Sequence, residues 1–274
     1  MGFTSNPAFD YSNSELVDIL NRGFEGYFVP ITFHVMAFLN MLRKDGIDLT
    51  ASRVILKDDR PIGIALLARR GWISRLAAMG IGREYRGTGA GSWCMAQIIQ
   101  EARQRGEREM LLEVIEQNAP AIHLYENFGF DIVRRLIGLI YKNAVDPVSG
   151  EMDEVDIRTV SNLIAQCGLP DLPWQLSAES IAQINPPARA YRKGQAYAVI
   201  SNPDINDVVI WSVLVEPPGR GNGLGTDMLK SIIARHPHKT WHVPALLPEE
   251  LGIVYERAGF VREELSQWQM KLTL

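Results

Sequence analysis

Apolar and polar positions follow the same pattern at two places in the chain. Leu76 to Ile81 and Val208 to Val215 are apolar runs rich in branched side chains, which predicts a strand at each place. Each run is followed by apolar residues at positions i, i+1, i+4 and i+5, the buried stripe of an amphipathic helix. These are Cys94, Met95, Ile98 and Ile99 in the first copy, and Met228, Leu229, Ile232 and Ile233 in the second. Further strands are predicted at Met110 to Ile115 and Thr240 to Ala245.

A glycine-rich turn joins the first strand to the helix in each copy. Arg86-Gly87-Thr88-Gly89-Ala90-Gly91 recurs 134 residues later as Arg220-Gly221-Asn222-Gly223-Leu224-Gly225. A helix start has unpaired N–H groups and partial positive charge, and glycines let the preceding backbone curl around an anion. The turns therefore predict phosphate sites, with the arginines adding charge. The mononucleotide P-loop is excluded because both copies lack its lysine, and the dinucleotide fingerprint because Ser92 and Thr226 replace its last small residue.

A second motif repeats after the second strand. Leu124-Tyr125-Glu126-Asn127-Phe128-Gly129-Phe130 pairs with Val254-Tyr255-Glu256-Arg257-Ala258-Gly259-Phe260, 130 residues later, and each is predicted to be a short helix ending at a glycine. Two copies of strand, helix and strand predict two α/β domains, residues 1–146 and 147–274. Val145 to Glu154, with its proline, glycine and acidic residues, is the predicted linker, and a helix over Val155 to Cys167 is predicted to open the second domain.

The composition fits a globular protein of this size. The chain has 274 residues, of which 46% are apolar and 22% charged, enough for two domains that each bury a core. Its longest apolar runs fall far short of the roughly 20 residues of a membrane-spanning helix. The first residues do not resemble a secretory signal, and two cysteines give no disulfide framework. We therefore expect a cytoplasmic protein without a membrane span, either a monomer or a homodimer.

The distribution of charge excludes one class of partner. The net charge is −4, with 17 basic and 17 acidic residues up to Asp146, and 11 and 15 after it. Neither half has the basic excess by which proteins bind nucleic acid, so we expect no nucleic-acid partner. His236, His238 and His242 are close in sequence, but Pro237 separates the first two and no cysteine is near. They are interpreted as a turn, and no metal site is expected.

Both halves resemble the GNAT superfamily of N-acetyltransferases, whose pyrophosphate loop is Arg/Gln-x-x-Gly-x-Gly/Ala. The resemblance runs from about Val54 to Arg134 in the first half, where Asn118, Ala121, Leu124-Tyr125-Glu126 and Gly129-Phe130 are similar to the family's following motif. In the second half the loop and Tyr255-Glu256 with Gly259-Phe260 match, but Pro248 stands where Asn118 did. This departure puts tight cofactor binding or catalysis by the second copy in doubt.

The resemblance implies a fold, a cofactor and its binding residues. The implied fold is α/β of the α+β type: two tandem domains, each a mixed, mostly antiparallel sheet with a central parallel strand pair and flanking helices. The implied cofactor is acetyl-CoA. Its implied contacts in the first half are Met79, Gly80, Ile81, Arg86, Gly87, Thr88, Gly89, Ala90, Gly91, Ser92, Asn118 and Tyr125. In the second half they are Val213, Val215, Arg220, Gly221, Asn222, Gly223, Leu224, Gly225, Thr226 and Tyr255.

The predicted reaction is transfer of the acetyl group to a primary amine of a small molecule, by direct attack in a ternary complex. Tyr125 is the candidate general acid, because a phenol of pKa about 10 can protonate a thiolate of pKa about 8.5 at a cost of roughly 2 kcal/mol. Glu25 and Glu113 are candidate bases, and an ordered water is an equal alternative; Glu113 is expected to reach the acceptor cleft or solvent. The competing hypothesis is a catalytically silent acyl-CoA-binding sensor.

Overall fold

The computed structural model describes residues 2–143 and 151–274. The chain divides into two compact units: unit 1 comprises residues 1–133 and 268–274, and unit 2 comprises residues 134–267. None of the helices formed by the described residues has the length and apolar character needed to cross a bilayer.

In unit 1, residues 2–130 form five strands and four α-helices in the order β1, α1, α2, β2, β3, β4, α3, β5, α4. Their bounds are β1 Phe3–Pro7, α1 Asn13–Gly23, α2 Val35–Asp45, β2 Arg53–Lys57, β3 Arg60–Arg70, β4 Ile73–Ile81, α3 Ala90–Gln104, β5 Glu109–Ile115 and α4 Ala119–Asn127. The strands are adjacent in the order β1-β2-β3-β4-β5. All pairs are antiparallel except β4 with β5, which is parallel.

Helices cover both faces of this sheet because its strands alternate apolar side chains between two clusters. On one face Leu16 and Leu20 of α1 pack with Phe38 of α2 against Ile64 and Leu66 of β3. On the other, the stripe predicted from Cys94 to Ile99 packs against Leu76, Leu112 and Val114. Helix α1 begins in a capping box in which Ser12 and Glu15 satisfy each other's backbone N–H groups.

Unit 2 repeats this arrangement with its own strands and helices. Their bounds are β6 Asp131–Tyr141, β7 Asp153–Val155, α5 Ile157–Cys167, α6 Ala178–Ile181, β8 Arg189–Lys193, β9 Ala196–Ile200, β10 Asp207–Val215, α7 Leu224–Arg235, β11 Thr240–Pro248, α8 Gly252–Glu256 and β12 Val261–Thr273. The strand order is β6-β11-β10-β9-β8-β7, with β10 and β11 the parallel pair. The predicted mixed sheet with a central parallel pair is therefore confirmed in each unit.

Most of β6 and the last residues of β12 do not belong to the unit formed by the half of the sequence that contains them. Strand β6 follows α4 in the sequence, but it pairs with β11, and Ile137 and Leu139 are buried in the core of unit 2. The last residues of β12 belong instead to unit 1, where Met270 and Leu272 are buried beside Tyr125 and Phe130. The compact units thus depart from the predicted division after residue 146. Of the predicted linker, residues 145–150 lie outside the described residues, and its last two residues, Asp153 and Glu154, begin β7.

Candidate functional site

The parallel strands of each unit separate after a short paired stretch. In unit 1 the pairing of β4 with β5 ends at Leu76 and Leu112, although β4 continues to Ile81. A register shift between β3 and β4 leaves Ala77 as an extra residue at this point. The corresponding shift in unit 2 leaves Trp211 as the extra residue, 134 positions later. Because a bulge bends its strand, we interpret the gap between the carboxyl ends of each parallel pair as a cleft. In unit 1, Met79 to Ile81 pair with β3 on one edge, and among the described pairings the other edge has no strand partner.

The glycine loop of unit 1 stands at the end of this cleft. Gly87 and Gly89 have positive φ angles of 75° and 91°, and Gly89 is the N-cap of α3. The backbone from Arg86 to Gly89 is exposed, and the first helical bond on this loop is the one that the Trp93 amide donates to Gly89. The amides before Trp93 therefore face outward at a helix start, the arrangement that the sequence predicts for a phosphate site.

The side chain of Arg86 makes hydrogen bonds to the backbone that the sequence did not predict. Its Nε donates to the carbonyl of Ile81 at 3.0 Å, and its Nη2 donates to the carbonyls of Gly23 at 3.0 Å and Glu25 at 2.7 Å. The guanidinium that was expected to add charge for phosphates thus joins the end of β4 to the end of α1.

Asn118 and Tyr125 lie on the other side of the cleft, on α4. Asn118 is the N-cap, with Oδ1 accepting from the Ala121 amide at 3.3 Å, as its position before Ala119-Pro120 predicts. Tyr125 is only 8% exposed and packs against Phe130. Burial, with smaller contributions from Tyr27 and Cys94, raises the pKa of the Tyr125 phenol above its usual value.

Tyr27 is a site residue that sequence reasoning did not single out. It belongs to the aromatic segment after α1 and forms a side-chain hydrogen bond with Asn118. Burial raises the pKa of Tyr27, so its phenol is neutral at physiological pH. The signal in the sequence that could have identified Tyr27 was its position among Phe24, Phe28 and Phe33. Ordinary core packing produces the same pattern.

The two candidate bases lie in different environments. Glu113 does not reach solvent: its side chain is 3% exposed, and its Oε2 accepts from Nε of Arg75 at 2.7 Å. Of the two alternatives that the sequence left open for this carboxylate, the structure excludes solvent, since Arg75 binds it inside the protein. Glu25 is exposed, and its backbone carbonyl rather than its carboxylate contacts Arg86.

In unit 2 the predicted cofactor residues line one cavity of about 390 Å³. All of them except Asn222 are on its wall: Val213, Val215, Arg220, Gly221, Gly223, Leu224, Gly225, Thr226 and Tyr255. The remaining wall is largely apolar, with leucines at positions 169, 172, 176, 247 and 251. Gly221 and Gly223 have positive φ angles of 81° and 77°, so the loop has the conformation of its counterpart in unit 1.

The catalytic side of unit 2 differs from that of unit 1. Pro248, which replaces the capping asparagine, ends β11 and is followed by a helix, α8, of only five residues. Tyr255 is buried at 4% exposure, and burial raises the pKa of its phenol. Arg220 repeats the bonds of Arg86: its Nε donates to Val215 at 3.1 Å and its Nη2 to Cys167.

The histidines do not form a metal site. His236 is hydrogen-bonded to the hydroxyl of Tyr191 at 2.9 Å, and His242 is 3.1 Å from Asp207. Within the part of the chain that the structure describes, no three His, Cys, Asp or Glu side chains are grouped so as to hold a metal ion.

Comparison with known proteins agrees with this geometry. The acetyltransferase (GNAT) family model matches residues 14–130. A streptothricin acetyltransferase from Streptomyces lavendulae is 37% identical over 70 residues, which are 25% of this chain and 37% of that relative. The match thus spans little more than a third of the relative's length.

Two solved structures match nearly the whole chain. A GCN5-related N-acetyltransferase from Sphaerobacter thermophilus has a TM-score of 0.72 at 14% identity, covering 99% of this chain and 95% of that one. A tandem GNAT protein from the clavulanic acid biosynthesis pathway has a TM-score of 0.65 at 14% identity, covering 99% and 98%. At such identities these likenesses concern the fold. Residues 14–130 thus match the GNAT acetyltransferase family, and the fold over nearly the full length is that of tandem GNAT structures.

Proposed function

We propose that this protein transfers the acetyl group of acetyl-CoA to a primary amine of a small molecule, and that the chemistry takes place in unit 1. The observation that carries the proposal is a set of three features: the exposed loop from Arg86 to Gly89 at the start of α3, the free edge of Met79 to Ile81, and the buried phenol of Tyr125 near Tyr27, which contacts Asn118. The diphosphate would bind the loop and the pantetheine arm would pair with the free edge, its thioester then pointing toward Tyr125.

The acceptor must arrive as a neutral amine. An alkyl ammonium has a pKa of about 10.4, so exposing its lone pair at pH 7 costs roughly 4.6 kcal/mol. Of the candidate bases, Glu113 is held by Arg75 and Glu25 is exposed to solvent, which favours water at the cleft as the first acceptor of this proton. The amine then attacks the thioester carbonyl and forms the C–N bond, its nitrogen giving up a second proton to water. The C–S bond breaks, and its electron pair leaves on sulfur.

Tyr125 is the proposed donor to the departing thiolate. Burial raises the pKa of the Tyr125 phenol above 10, so complete proton transfer from it to a thiolate of pKa about 8.5 costs more than about 2 kcal/mol. The cost is higher still early in the reaction, when little negative charge has developed on the sulfur. The phenol therefore acts first as a hydrogen-bond donor, and its proton moves as charge localises on the sulfur. An intact Asn118 and Tyr125 pair supports this enzyme over a silent acyl-CoA sensor.

For unit 2 we propose coenzyme A binding without catalysis. The cavity brings the loop, Val213, Val215 and Tyr255 together, which supports binding. The replacement of the capping asparagine by Pro248 and the shortened α8 argue against the second copy as the catalytic one.

The decisive experiment compares Tyr125→Phe with Tyr255→Phe in the full chain. We expect Tyr125→Phe to lower turnover at least about tenfold, because the thiolate loses its hydrogen-bond donor, while coenzyme A affinity measured by calorimetry is unchanged. Tyr255→Phe is the matched control and should retain turnover. The acceptor panel comprises polyamines, amino acids, aminoglycosides, peptide N-termini and streptothricin, the last suggested by the relative's name. Full turnover by Tyr125→Phe would remove this residue from the mechanism.

A further inference from the structure

Two arginines of the repeat, Arg86 and Arg220, have two hydrogen bonds in common, each within its own unit. In each, Nε donates to the carbonyl five residues earlier, at the end of the strand that enters the glycine loop: Ile81 for Arg86 and Val215 for Arg220. In each, Nη2 donates to the carbonyl of the last residue of the unit's first helix, Gly23 of α1 or Cys167 of α5.

This pattern satisfies a requirement of the helix ends. The last carbonyls of an α-helix have no partner within the helix and carry partial negative charge, so a cation that donates to them is favourable. The planar guanidinium can donate in two directions at once, which an ammonium cannot do with the same geometry. The two helix ends differ in sequence, Gly23-Phe24-Glu25 against Cys167-Gly168-Leu169, yet both receive the same bond.

The helix end that Arg86 holds lies directly against the strand. A Cβ at Gly23 would be 2.9 Å from the backbone of Gly80 in β4, so α1 ends in backbone contact with the residues proposed to pair with pantetheine. Arg86 also binds the carbonyl of Glu25, and Tyr27, two residues further, meets Asn118 across the cleft. In unit 2, Gly168 and Leu169, directly after Cys167, are on the cavity wall.

We infer that Arg86 and Arg220 are positioning residues that hold the segment after the first helix against the cofactor cleft, rather than direct phosphate ligands. For Arg86 the inference rests on the proposed function, because the segment it holds leads to Tyr27, which contacts Asn118 in the proposed site. The arginine thereby links the geometry of the glycine loop to the placement of Tyr27 and of the acceptor.

An acetyl donor that has no phosphates distinguishes the two roles of Arg86, positioning and phosphate binding. In the full chain, Arg86→Gln should lower kcat/KM by about tenfold with acetyl-CoA and by a similar factor with S-acetylpantetheine, with a raised KM for the amine. Arg83→Gln, which removes an exposed positive charge three residues away, is the control and should change neither. If kcat/KM falls only with acetyl-CoA, or if Arg86→Lys restores activity, Arg86 binds the phosphates directly and the inference is wrong.

Two further measurements do not depend on activity. Amides of residues 24–28 should exchange hydrogen at least about fivefold faster in Arg86→Gln than in Arg83→Gln. The partly exposed Cys167 should react faster with a thiol reagent in Arg220→Gln than in Lys230→Gln, because the end of α5 loses its bond. Unchanged exchange and unchanged thiol reactivity would refute the positioning role even if acetyl transfer is confirmed. If the wild-type protein transfers no acetyl group, these two readouts still decide the inference.

Discussion

Burial controls the chemistry of the ionisable side chains beside both glycine loops. It raises the pKa of the Tyr125 and Tyr255 phenols, and with a smaller contribution from Glu101 it raises that of the Cys94 thiol to about 12. The sequence placed Cys94 on the buried stripe of α3, so its inertness was predictable. The contact of Tyr27 with Asn118 was not, because 91 residues of sequence separate them and their approach depends on where α1 ends.

Thiol reactivity should distinguish the two cysteines. A thiol with a pKa of about 12 contains almost no thiolate at pH 8, and Cys94 is also buried, whereas Cys167 is partly exposed. We expect one thiol per chain to react with a disulfide reagent in the native protein at pH 8, and two in denaturant. Two rapidly reacting thiols in the native protein would contradict the packing of α3 described above.

The carboxylate of Glu113 should contribute to stability rather than act as the base. Glu113→Gln leaves Arg75, whose side chain is 5% exposed, with a weaker partner, so we expect a loss of about 3 kcal/mol in the free energy of unfolding. The control is Glu109→Gln on the same strand, where a half-exposed pair with Lys271 is worth about 1 kcal/mol or less. Denaturant titration measures both. A stable Glu113→Gln protein with abolished turnover would instead identify Glu113 as the base.

At the scale of elements, the sequence predicted which segments form strands and helices better than it predicted how they pair. Strands β4, β5, β10 and β11 and helices α3, α4 and α7 lie where the apolar patterns place them, since periodicity depends on residues close in sequence. No pattern of apolar positions in the sequence marks the bulges at Ala77 and Trp211. They arise from the register of neighbouring strands, which tertiary packing determines.

The glycine loop gives a prediction at this scale. Gly89 has a φ angle of 91°, which a residue with a Cβ rarely adopts, so Gly89→Ala should lower the free energy of unfolding by about 1–2 kcal/mol although no atom lies within 4 Å of the added carbon. Gly91→Ala is the control: Gly91 is helical, and its Cβ would meet Leu124 at an ordinary 3.5 Å. Equal stability of the two variants, measured by thermal unfolding, would argue against the loop conformation.

At the scale of the whole molecule, the repeat in the sequence and the compact units of the structure divide the chain differently. The short motifs around Tyr125 and Tyr255 show where each copy ends, and a boundary near residue 146 follows naturally from them. The segment that completes unit 1, however, is residues 268–274, which include the end of β12. A fragment that ends near residue 146 would therefore lack part of the core around Tyr125.

The last strand should be required for the stability of unit 1. Leu272 is 5% exposed and packs within 3.5 Å of the Cβ position of Gly129, so Leu272→Ala should cost about 2–5 kcal/mol. Because Cys94 is in the same cluster, its thiol should become reactive at lower denaturant concentration. Lys271→Ala, on the adjacent and more exposed position, should cost about 1 kcal/mol or less. An unaltered Cys94 in Leu272→Ala would place β12 outside the core of unit 1.

The sequence by itself determined the repeat, the glycine loops, the apolar stripes and the asparagine cap of α4, because each is specified by residues within a few turns of one another. The tertiary structure alone decided the pairing of Arg75 with Glu113, the use of Arg86 and Arg220 for helix ends, and the strand that completes unit 1. These depend on contacts between residues that are from about 40 to more than 100 positions apart, and local patterns of polarity carry no record of such partners.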